Sequence, residues 1–333
     1  MNAIRAAILK GPRQIEQVIR ESPEPGPMEV VLNVGYVGIC GADQNAYWGT
    51  SALVKYPRVI GHEVSARVLQ VGSEVKLYQP GQWVAVAPLI SCGECNFCRS
   101  GNEHLCPSRV LFGLTVDGGL QEQIVMPMQT LFPLPAGVSP RAGALAEPMA
   151  VCLHAVHAAC RDPHGLEVVV SGAGTIGLLI ARILWQLEAQ TVKLLDLDRE
   201  RVQLAQKLGF EALHPAQAPS SKAELVFIAN DSPQAVADIP ALLAPNGIAV
   251  IVGLIADACL NWTQLLLKEG AIRTSRYFTL KEFREGVDLL GSPGFDVERL
   301  IQAEYPFSEF IGTECHTIFE HARKVPRLVI KLG

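Results

Sequence analysis

The sequence predicts an α/β protein of two domains: a mainly antiparallel β domain and a doubly wound parallel-sheet domain. Residues 1–140 are rich in Gly and Pro, and turn signals separate their short β-like runs. Beyond residue 166, apolar runs alternate with segments of helical periodicity, which is typical of βαβ units and a parallel sheet. A chain of 333 residues is also too long for one compact core, so about two domains are expected.

The β-like runs of the first region predict an antiparallel sheet. Turn segments such as PEPGP and YQPG separate the runs, which cover residues 29–39, 64–72, 82–90 and 121–127. Residues 134–145 predict a loop, and the segment AEPMAVCLHAVHAAC after it predicts a helix.

The second region predicts four apolar strands with helices between them. The helices are TIGLLIARILWQLEA, RERVQLAQKLG and DIPALLAPNG, and the strands cover residues 167–174, 192–198, 224–230 and 248–254. From about residue 278, the pattern predicts a pair of helices that ends in a strand, which could return to the first domain.

The composition is that of a globular protein and argues against several kinds of partner. Hydrophobic residues make up 49% and charged residues 18% of the chain, and the net charge of −5 argues against a large nucleic-acid-binding surface. No uninterrupted apolar run reaches the ~18–20 residues that span a bilayer. Arg5 and Lys10 interrupt the apolar N-terminal stretch, which argues against a signal peptide. We therefore expect a cytoplasmic chain that binds neither nucleic acid nor membrane.

Nine cysteines in such a chain indicate metal ligands and buried thiols rather than a disulfide framework. Four of them are scattered among apolar neighbours and are expected to pack in the core: Cys152, Cys160, Cys259 and Cys315. The other five lie in segments that could bind metal.

A cluster of four cysteines predicts a structural zinc site. The segment CGECNFCRSGNEHLC spaces Cys92, Cys95, Cys98 and Cys106 closely enough for four thiolates to surround one tetrahedral Zn²⁺ with every position filled. An iron–sulfur cluster is the main alternative, because a proline follows the last cysteine. The last gap is longer than in bacterial ferredoxins, however, and the acidic neighbours argue against a nucleic-acid-binding zinc ribbon.

A glycine-rich turn predicts a dinucleotide site of the Rossmann type. In SGAGTIG, Gly172, Gly174 and Gly177 form G-x-G-x-x-G around Thr175 and Ile176, after a predicted strand and at the start of a predicted helix. The first glycine permits the tight turn, the second lets the backbone approach the pyrophosphate, and the third allows close packing of helix on strand.

An acidic residue ends the next predicted strand. Asp196 follows Gly177 by 19 residues and would hydrogen-bond the adenosine ribose, which favours NAD over NADP. Arg199 and Arg201 keep NADP open, since a nearby guanidinium can offset the acid. The alternative is a turn that packs helix on sheet without a ligand.

Four further residues could form a second metal site, but their spacing alone does not establish it. Cys40 lies in GICGAD, His62 and Glu63 in GHE, and Glu147 in AEP. Each has an ordinary interpretation as well: a buried thiol, a hydrogen-bonded core histidine, or an acid near a helix start.

Several motifs occur in the order seen in zinc-dependent medium-chain dehydrogenases, which the chain resembles over nearly its whole length. They are GICGAD, YPRVIGHE, GQWVAV, the four-cysteine segment, AEPMAVCLHA and SGAGTIG. The chain looks most like the polyol (sorbitol) and threonine dehydrogenase branch, because Glu147 stands where the classical alcohol dehydrogenases have a ligand cysteine. Arg276 and Tyr277 in SRYF resemble a pair that contacts polyol substrates there, although they could instead pack at a domain boundary.

The resemblance implies a catalytic zinc. Cys40 and His62 would be its ligands, Glu63 or Glu147 would complete the set, and water or substrate would take the remaining position. Hydride transfer from an alcohol needs electron density on its oxygen, which a Lewis acid with an open position supplies.

The resemblance also implies how the chain is divided. A GroES-like catalytic domain would cover residues 1–148, with a zinc lobe at 90–108, and residues 278–333 would return to it. A Rossmann NAD-binding domain would cover residues 149–277, and the cleft between the domains would hold zinc, nicotinamide and substrate. Homodimers or homotetramers are expected.

The expected function is hydride transfer between a secondary alcohol, or its ketone, and NAD(P). The alcohol would be a polyol, sugar derivative or amino-alcohol, and the backbone of Val252, Gly253 and Leu254 would position the nicotinamide. The alternative is a homologue that binds NAD and zinc without turnover. The cysteine motifs disfavour a zinc-free quinone reductase.

The proton path departs from that of the family. Members usually carry Ser or Thr two residues after the ligand cysteine and often His five residues after it, whereas this chain has Ala42 and Asn45. Neither side chain titrates. The hypothesis is that Glu63 or Glu147 takes the alcohol proton through a bound water, with assistance from Tyr47.

Overall fold

A computed structural model gives the fold of residues 3–217 and 222–333. The strands, numbered in chain order, are β1 (Ala3–Gly11), β2 (Gln14–Glu21), β3 (Glu29–Gly38), β4 (Glu63–Val71), β5 (Trp83–Val86), β6 (Leu89–Ile90), β7 (Val110–Leu111), β8 (Gln123–Pro127), β9 (Leu131–Pro133), β10 (Glu167–Ser171), β11 (Thr191–Leu195), β12 (Glu211–Leu213), β13 (Ala223–Ile228), β14 (Leu243–Ile251), β15 (Ala271–Thr274), β16 (Ile301–Pro306) and β17 (Arg327–Lys331). The α-helices are α1 (Gly41–Trp48), α2 (Asn96–Arg99), α3 (Pro140–Gly143), α4 (Ala146–Ala158), α5 (Thr175–Gln186), α6 (Arg199–Lys207), α7 (Pro233–Ala237), α8 (Ile239–Leu242), α9 (Trp262–Leu266), α10 (Leu280–Leu290), α11 (Phe307–Phe310) and α12 (Cys315–Ala322). Among these described helices, none combines the length and the hydropathy of a membrane span.

The first of two compact units comprises Met1–Ala150 and Thr279–Gly333, of which residues 1 and 2 lie outside the description. Its main sheet has the order β16-β17-β3-β4-β5-β9, and β8 also pairs with β3. All these pairings are antiparallel except that of β16 with β17. Strand β17 therefore lies beside β3 in the same sheet.

The second unit, Val151–Phe278, contains a parallel sheet of order β12-β11-β10-β13-β14-β15. The strand order reverses between β10 and β13, as in doubly wound dinucleotide-binding sheets. Buried Val226, Ile228 and Ala249 belong to the core on one face of this sheet. The predicted fold class, a doubly wound parallel sheet plus a mainly antiparallel β region, is confirmed.

Several elements of the second unit differ from the sequence prediction: strands β12 and β15 are not predicted, and two predicted elements end early for a clear backbone reason. The helix expected over DIPALLAPNG covers only Ile239–Leu242, because Pro245 has no N–H to donate and Asn246 adopts a left-handed backbone with φ 56°. The strand expected over residues 248–254 ends at Ile251, where the N–H groups of Val252 and Gly253 both donate to the Ile228 carbonyl instead.

The sequence pattern does not predict the β1–β2 hairpin or strand β16. Strand β2 has no fully buried side chain and β16 has one, so no hydrophobic run marks them.

The four cysteines that were expected in the core differ in burial. Cys152 and Cys315 are buried as predicted, but the prediction is wrong for Cys160 and Cys259, which are exposed. Cys160 follows the end of α4 in a left-handed conformation, and Cys259 lies in the loop before α9.

Candidate metal and cofactor sites

Four cysteine sulfurs converge in the segment between β6 and β7. The Sγ atoms of Cys92, Cys95, Cys98 and Cys106 all lie within 4.8 Å of one another. The distances are 3.5 Å for Cys95–Cys98, 3.6 Å for Cys92–Cys106 and 3.8 Å for Cys92–Cys98. A tetrahedron with Zn–S bonds of about 2.3 Å places its sulfurs roughly 3.8 Å apart. The cluster therefore has the dimensions of a tetrathiolate zinc site.

The backbone of this segment favours the thiolate form of Cys92. The N–H groups of Glu94 and Cys95 donate to the sulfur of Cys92 and lower its pKa to about 6. A thiolate is the form that binds metal. Between the third and fourth cysteines, Glu103 accepts a hydrogen bond of 2.5 Å from the N–H of Leu280, which ties the segment to the start of α10.

A second group of ligand atoms comes from separate parts of the first unit. Cys40, His62 and Glu63 each offer one atom, and these three atoms lie within 4.8 Å of one another. Cys40 immediately precedes α1, and Glu63 is the first residue of β4. Because β3 and β4 are antiparallel with Gly38 opposite Glu63, the sheet register brings the two segments together.

Asp43, which the sequence analysis missed, joins both ligand segments. Its fully buried carboxylate accepts 2.9 Å hydrogen bonds from the N–H groups of Cys40 and Gly61, and Oδ1 lies 3.6 Å from Nδ1 of His62. A carboxylate in this place fixes the orientation of a ligand imidazole. The available sequence signal is an acid three residues after a helix N-cap, the capping-box position.

Arg327 of β17 is a second residue that the sequence analysis missed. Its Nη1 lies 2.6 Å from Oε2 of Glu63 and donates a 3.0 Å hydrogen bond to the carbonyl of Ile39. Both side chains are buried, so the guanidinium balances a carboxylate that water does not reach. No local spacing indicates this pair, because only the pairing of β17 with β3 brings the two residues together.

The donor atoms of Cys40, His62 and Glu63 are suited to bind a cation. Among the described residues, Glu63 Oε1 is buried without a hydrogen-bond partner, and His62 Nδ1 has the Asp43 carboxylate 3.6 Å away. Burial raises the pKa values of Cys40 and Glu63. Burial lowers the pKa of His62, but Asp43 and Cys40 outweigh it and hold that pKa well above its ordinary value. A thiol, an imidazole and a carboxylate are donor types that catalytic zinc sites use.

Glu147 and Tyr47 lie outside this group of three. Glu147, the second residue of α4, is buried, and burial raises its pKa to about 7. Tyr47 faces α12: its hydroxyl is 3.1 Å from Nδ1 of His316, and its ring stacks on Phe319 at 4.0 Å. Burial also raises the pKa of Tyr47, to about 12. The structure thus brings Cys40, His62 and Glu63 together. Glu147 lies near enough for the charges of His62 and Glu63 to act on its carboxylate, whereas Tyr47 contacts α12.

The glycine turn follows β10 at the centre of the parallel sheet. Gly172 has φ 111°, and a Cβ there would lie 2.6 Å from the carbonyl of Ala229. A Cβ on Gly177 would lie 1.8 Å from the carbonyl of Gly172, so helix α5 packs closely on the turn. A Cβ on Gly174 would meet only Nη1 of Arg201, at 3.9 Å. The backbone before Thr175 and Ile176, the first residues of α5, is therefore open to a phosphate.

Asp196 fixes the glycine turn as well as ending β11. Its Oδ2 accepts a hydrogen bond of 2.8 Å from the N–H of Ala173, and its Oδ1 accepts one of 2.8 Å from the N–H of Asp198. The acid therefore lies directly beside the turn, at the carboxyl edge of the sheet, where doubly wound sheets bind the ribose.

The remaining predicted cofactor residues follow β14. The N–H groups of Val252 and Gly253 donate to Ile228, and that of Leu254 donates to Asp231 Oδ1 at 2.9 Å. These residues lie at the same carboxyl edge of the sheet as the glycine turn.

Arg276 and Tyr277, the predicted substrate residues, contact each other after β15. Nη2 of Arg276 donates to the Tyr277 hydroxyl at 2.7 Å, and its guanidinium lies 4.5 Å from the centre of the tyrosine ring. Tyr277 has a left-handed backbone with φ 59°, and Arg276 is exposed. The pair therefore presents a guanidinium at the surface of the second unit.

Comparison with known proteins finds dehydrogenases and a reductase that are similar to this chain. The Alcohol dehydrogenase GroES-like domain family matches residues 26–136. L-galactonate-5-dehydrogenase of Escherichia coli (strain K12) is 31% identical, over 94% of this chain and 95% of that protein. A protein named probable D-xylulose reductase A, from Emericella nidulans, is 31% identical over 91% of this chain and 90% of its own length.

A solved structure gives the same result for the fold. The crystal structure of a short chain alcohol dehydrogenase from E. coli CFT073, complexed with NADH, matches with a TM-score of 0.91 and 27% identity over all of both chains. The resemblance inferred from the motifs is thereby confirmed. The chain belongs to the zinc-dependent medium-chain dehydrogenase/reductase superfamily, in its polyol and threonine dehydrogenase-like branch.

Proposed function

We propose that this protein is a zinc-dependent oxidoreductase that transfers a hydride between a secondary alcohol and NAD(P). The observation that carries the proposal is the buried convergence of Cys40, His62 and Glu63, whose ligand atoms lie within 4.8 Å of one another. Three protein donors leave a coordination position for substrate, whereas the four-cysteine cluster has none to spare.

Each residue of this group has a distinct role in the proposal. Cys40 and His62 hold the zinc, and Glu63 or Glu147 completes the protein donors. Zinc bound there would polarise the alcohol oxygen as a Lewis acid. Asp43 holds the imidazole of His62 in place, and Arg327 balances the charge of Glu63. The four cysteines of the lobe hold a second, structural zinc.

The cofactor is assigned to the second unit. The backbone around Gly172, Gly174 and Gly177 binds the pyrophosphate, helped by the helix dipole of α5. Asp196 accepts the ribose hydroxyls, which favours NAD, while Arg201 beside the turn leaves NADP possible. Related structures support either cofactor, since one was determined with NADH and another, from Sinorhizobium meliloti, with NADP.

The proton of the alcohol is assigned to a buried carboxylate. Ala42 and Asn45 offer no titrating group, so Glu63 or Glu147 takes the proton, with Tyr47 as the further candidate. The contacts favour Glu147, because Glu63 is already paired with Arg327 and Tyr47 is engaged with His316. The pH–rate profiles of Glu147→Gln, Glu63→Gln and Tyr47→Phe test this assignment; if none alters kcat or its pH dependence, the proton leaves by another route.

The substrate class follows from the relatives. The names of these relatives specify sugar acids and a pentulose, so hydroxylated carbon chains are the proposed substrates. Arg276 could pair with a sugar-acid carboxylate, and Tyr277 could hydrogen-bond hydroxyls. Binding to nucleic acid or membrane is not part of the proposal, since the net charge is −5 and the substrates are small and polar.

A cytoplasmic homodimer or homotetramer completes the proposal. Strand β15 is the outer strand of the parallel sheet, and Trp262, Leu266 and Leu267 in and beside α9 are more than half exposed. An open strand edge with apolar neighbours is suited to pairing with a second copy. Light scattering during size-exclusion chromatography measures the state directly.

A substrate screen tests the activity itself. Zinc-loaded protein is mixed with NAD or NADP and a panel of sugar acids, polyols and L-threonine, and absorbance at 340 nm reports reduced cofactor. We expect turnover with at least one sugar acid or polyol and none for Cys40→Ala. Protein that binds zinc and NADH but turns over no member of a broad panel would instead be a binding homologue.

A further inference from the structure

Glu103 belongs to the zinc lobe, residues 90–108, and contacts a distant part of the chain. It is half-buried and lies between the third and fourth members of the four-cysteine cluster. Its Oε1 accepts a 2.5 Å hydrogen bond from the N–H of Leu280, the first residue of α10, which is 177 positions away in sequence. The lobe therefore has a specific contact with the start of α10.

Helix α10 does not satisfy this N–H group by itself. The first N–H groups of a helix lack an intrahelical acceptor. A capping box serves the neighbouring groups, because the Glu282 carboxylate accepts from the N–H and hydroxyl of Thr279, and Thr279 Oγ1 accepts from the N–H of Glu282. The N–H of Leu280 lies between them and takes its acceptor from the lobe. Glu103 thus completes the cap from outside the helix.

This contact lies just after the predicted substrate residues Arg276 and Tyr277. The chain re-enters the first unit at Thr279, so Leu280 is the second residue of the returning segment. Tyr277 has a left-handed backbone with φ 59°, a conformation that persists only where its surroundings hold it. Four residues span at most about 14 Å of chain. The position of Arg276 therefore depends on where Leu280 is fixed.

Metal in the four-cysteine cluster would restrict the segment that carries Glu103. The carbonyl of Glu103 accepts a 3.0 Å hydrogen bond from the N–H of Cys106, and Cys98 lies on its other side in sequence. Zinc held by both cysteines would close the chain around Glu103 into a loop and limit its freedom. The anchor for Leu280 would then be a rigid one.

We propose that Glu103 is a positioning residue, which fixes Leu280 and thereby holds Arg276 where its guanidinium can pair with a substrate carboxylate. This inference rests on the proposed function, which assigns Arg276 to the carboxylate of a sugar acid. It connects the zinc lobe with substrate binding.

Hydrogen exchange of the full-length, zinc-loaded protein tests the anchor without turnover. Glu103→Ala removes the acceptor, whereas the matched control Glu103→Gln keeps an acceptor oxygen. The amides of residues 276–280 should exchange about 2- to 10-fold faster in Glu103→Ala and at nearly the wild-type rate in Glu103→Gln. Exchange in the β1–β2 hairpin and the zinc content should not change. Wild-type exchange of residues 276–280 in Glu103→Ala, or faster exchange throughout the first unit, overturns the inference.

Steady-state kinetics tests the connection to the substrate. With L-galactonate as the probe, Glu103→Ala should raise KM about 2- to 10-fold and leave kcat within about twofold of wild type, and Glu103→Gln should restore KM. Because Glu103 acts through Arg276, it should have little further effect in the Arg276→Ala background.

The outcomes distinguish the inference from the proposed function. An equal rise in KM from Glu103→Ala with and without Arg276 overturns the inference, because Glu103 would then act by another route. Wild-type protein that turns over no sugar acid overturns the proposed function instead, and the exchange measurement then decides by itself whether Glu103 holds the segment.

Discussion

The four-cysteine cluster and the Cys40 group are both sets of potential zinc ligands in the first unit, yet they are assembled differently. The cluster lies within residues 92–106, contains sulfur alone, and has an exposed member in Cys92. The Cys40 group takes a thiol from one segment and, from a second, the imidazole and carboxylate of the adjacent His62 and Glu63, both buried. One is built by local chain geometry and the other by the register of a sheet.

This difference extends to the electrostatics of the two sites. Backbone N–H groups lower the pKa of Cys92 to about 6, whereas burial raises the pKa of Cys40. The Cys92 thiolate is therefore stabilised by its own segment, without help from distant residues. The Cys40 group depends on Asp43 and Arg327 for its balance of charge. The four-cysteine cluster is therefore a closed site, suited to a structural metal. The Cys40 group is an open site, suited to a catalytic metal.

The largest expected effect is on the closed site. Replacing the buried Cys106 with Ser should remove the structural zinc and lower Tm by roughly 10 °C or more, since such zinc contributes folding free energy directly. Scanning calorimetry and zinc analysis measure both quantities. If the variant loses zinc but keeps the wild-type Tm, the closed site does not stabilise the fold.

The next effect concerns the buried ion pair. Arg327→Met leaves Glu63 buried without its partner and should cost about 3–5 kcal/mol of unfolding free energy in urea denaturation of the zinc-free protein. Combining it with Glu63→Gln removes the orphaned charge and should restore part of that loss. A double variant no more stable than Arg327→Met would show that the pair does not balance charge.

How far these sites can be predicted from sequence depends on how local they are. The spacing of Cys92, Cys95, Cys98 and Cys106 and the turn SGAGTIG are short enough to interpret directly, and the alternating apolar runs predict the parallel sheet. The Cys40 group is not visible in spacing and required family resemblance. Arg327 escaped prediction because only the β17–β3 pairing places it beside Glu63.

Some errors arose because tertiary contacts override local pattern. Strands β2 and β16 bury few side chains and gain their hydrogen bonds from paired strands. The segment after α8 was predicted to continue the helix but belongs to β14, because Pro245 and Asn246 end the helix. The hydrogen bond from Leu280 to Glu103 likewise has no sequence signal, because only the folded chain brings these two residues together.

A smaller effect, on zinc affinity, is expected when Asp43 is replaced, and it should occur at only one of the two metal sites. Asp43→Asn removes the charge that faces His62 and should weaken zinc binding at the Cys40 group by about 10- to 100-fold. Competition with a chromogenic chelator measures the affinity of each site. The four-cysteine site provides the internal control and should be unchanged; equal weakening at both sites would indicate general destabilisation.

The smallest effect is in the pH at which each zinc is released. The raised pKa of Cys40 means that zinc must displace a proton near neutral pH, so its affinity falls as pH falls. Cys92, with a pKa of about 6, is already a thiolate there. On acidification, release from the Cys40 group should come first, by about one pH unit. Dialysis at a series of pH values with Cys40→Ser and Cys92→Ser as references assigns each step, and the reverse order would contradict this account.

The most direct test of the central claim is the zinc content of Cys40→Ala, measured on the same samples as NADH formation with a substrate of the wild type. The account predicts about two zinc ions per wild-type chain, about one in the variant, and no NADH formation by the variant. The variant should remain folded, with a smaller loss of Tm than Cys106→Ser, since the four-cysteine site is intact. Two zinc ions retained by the variant, or turnover at the wild-type rate, would contradict a catalytic zinc held by Cys40.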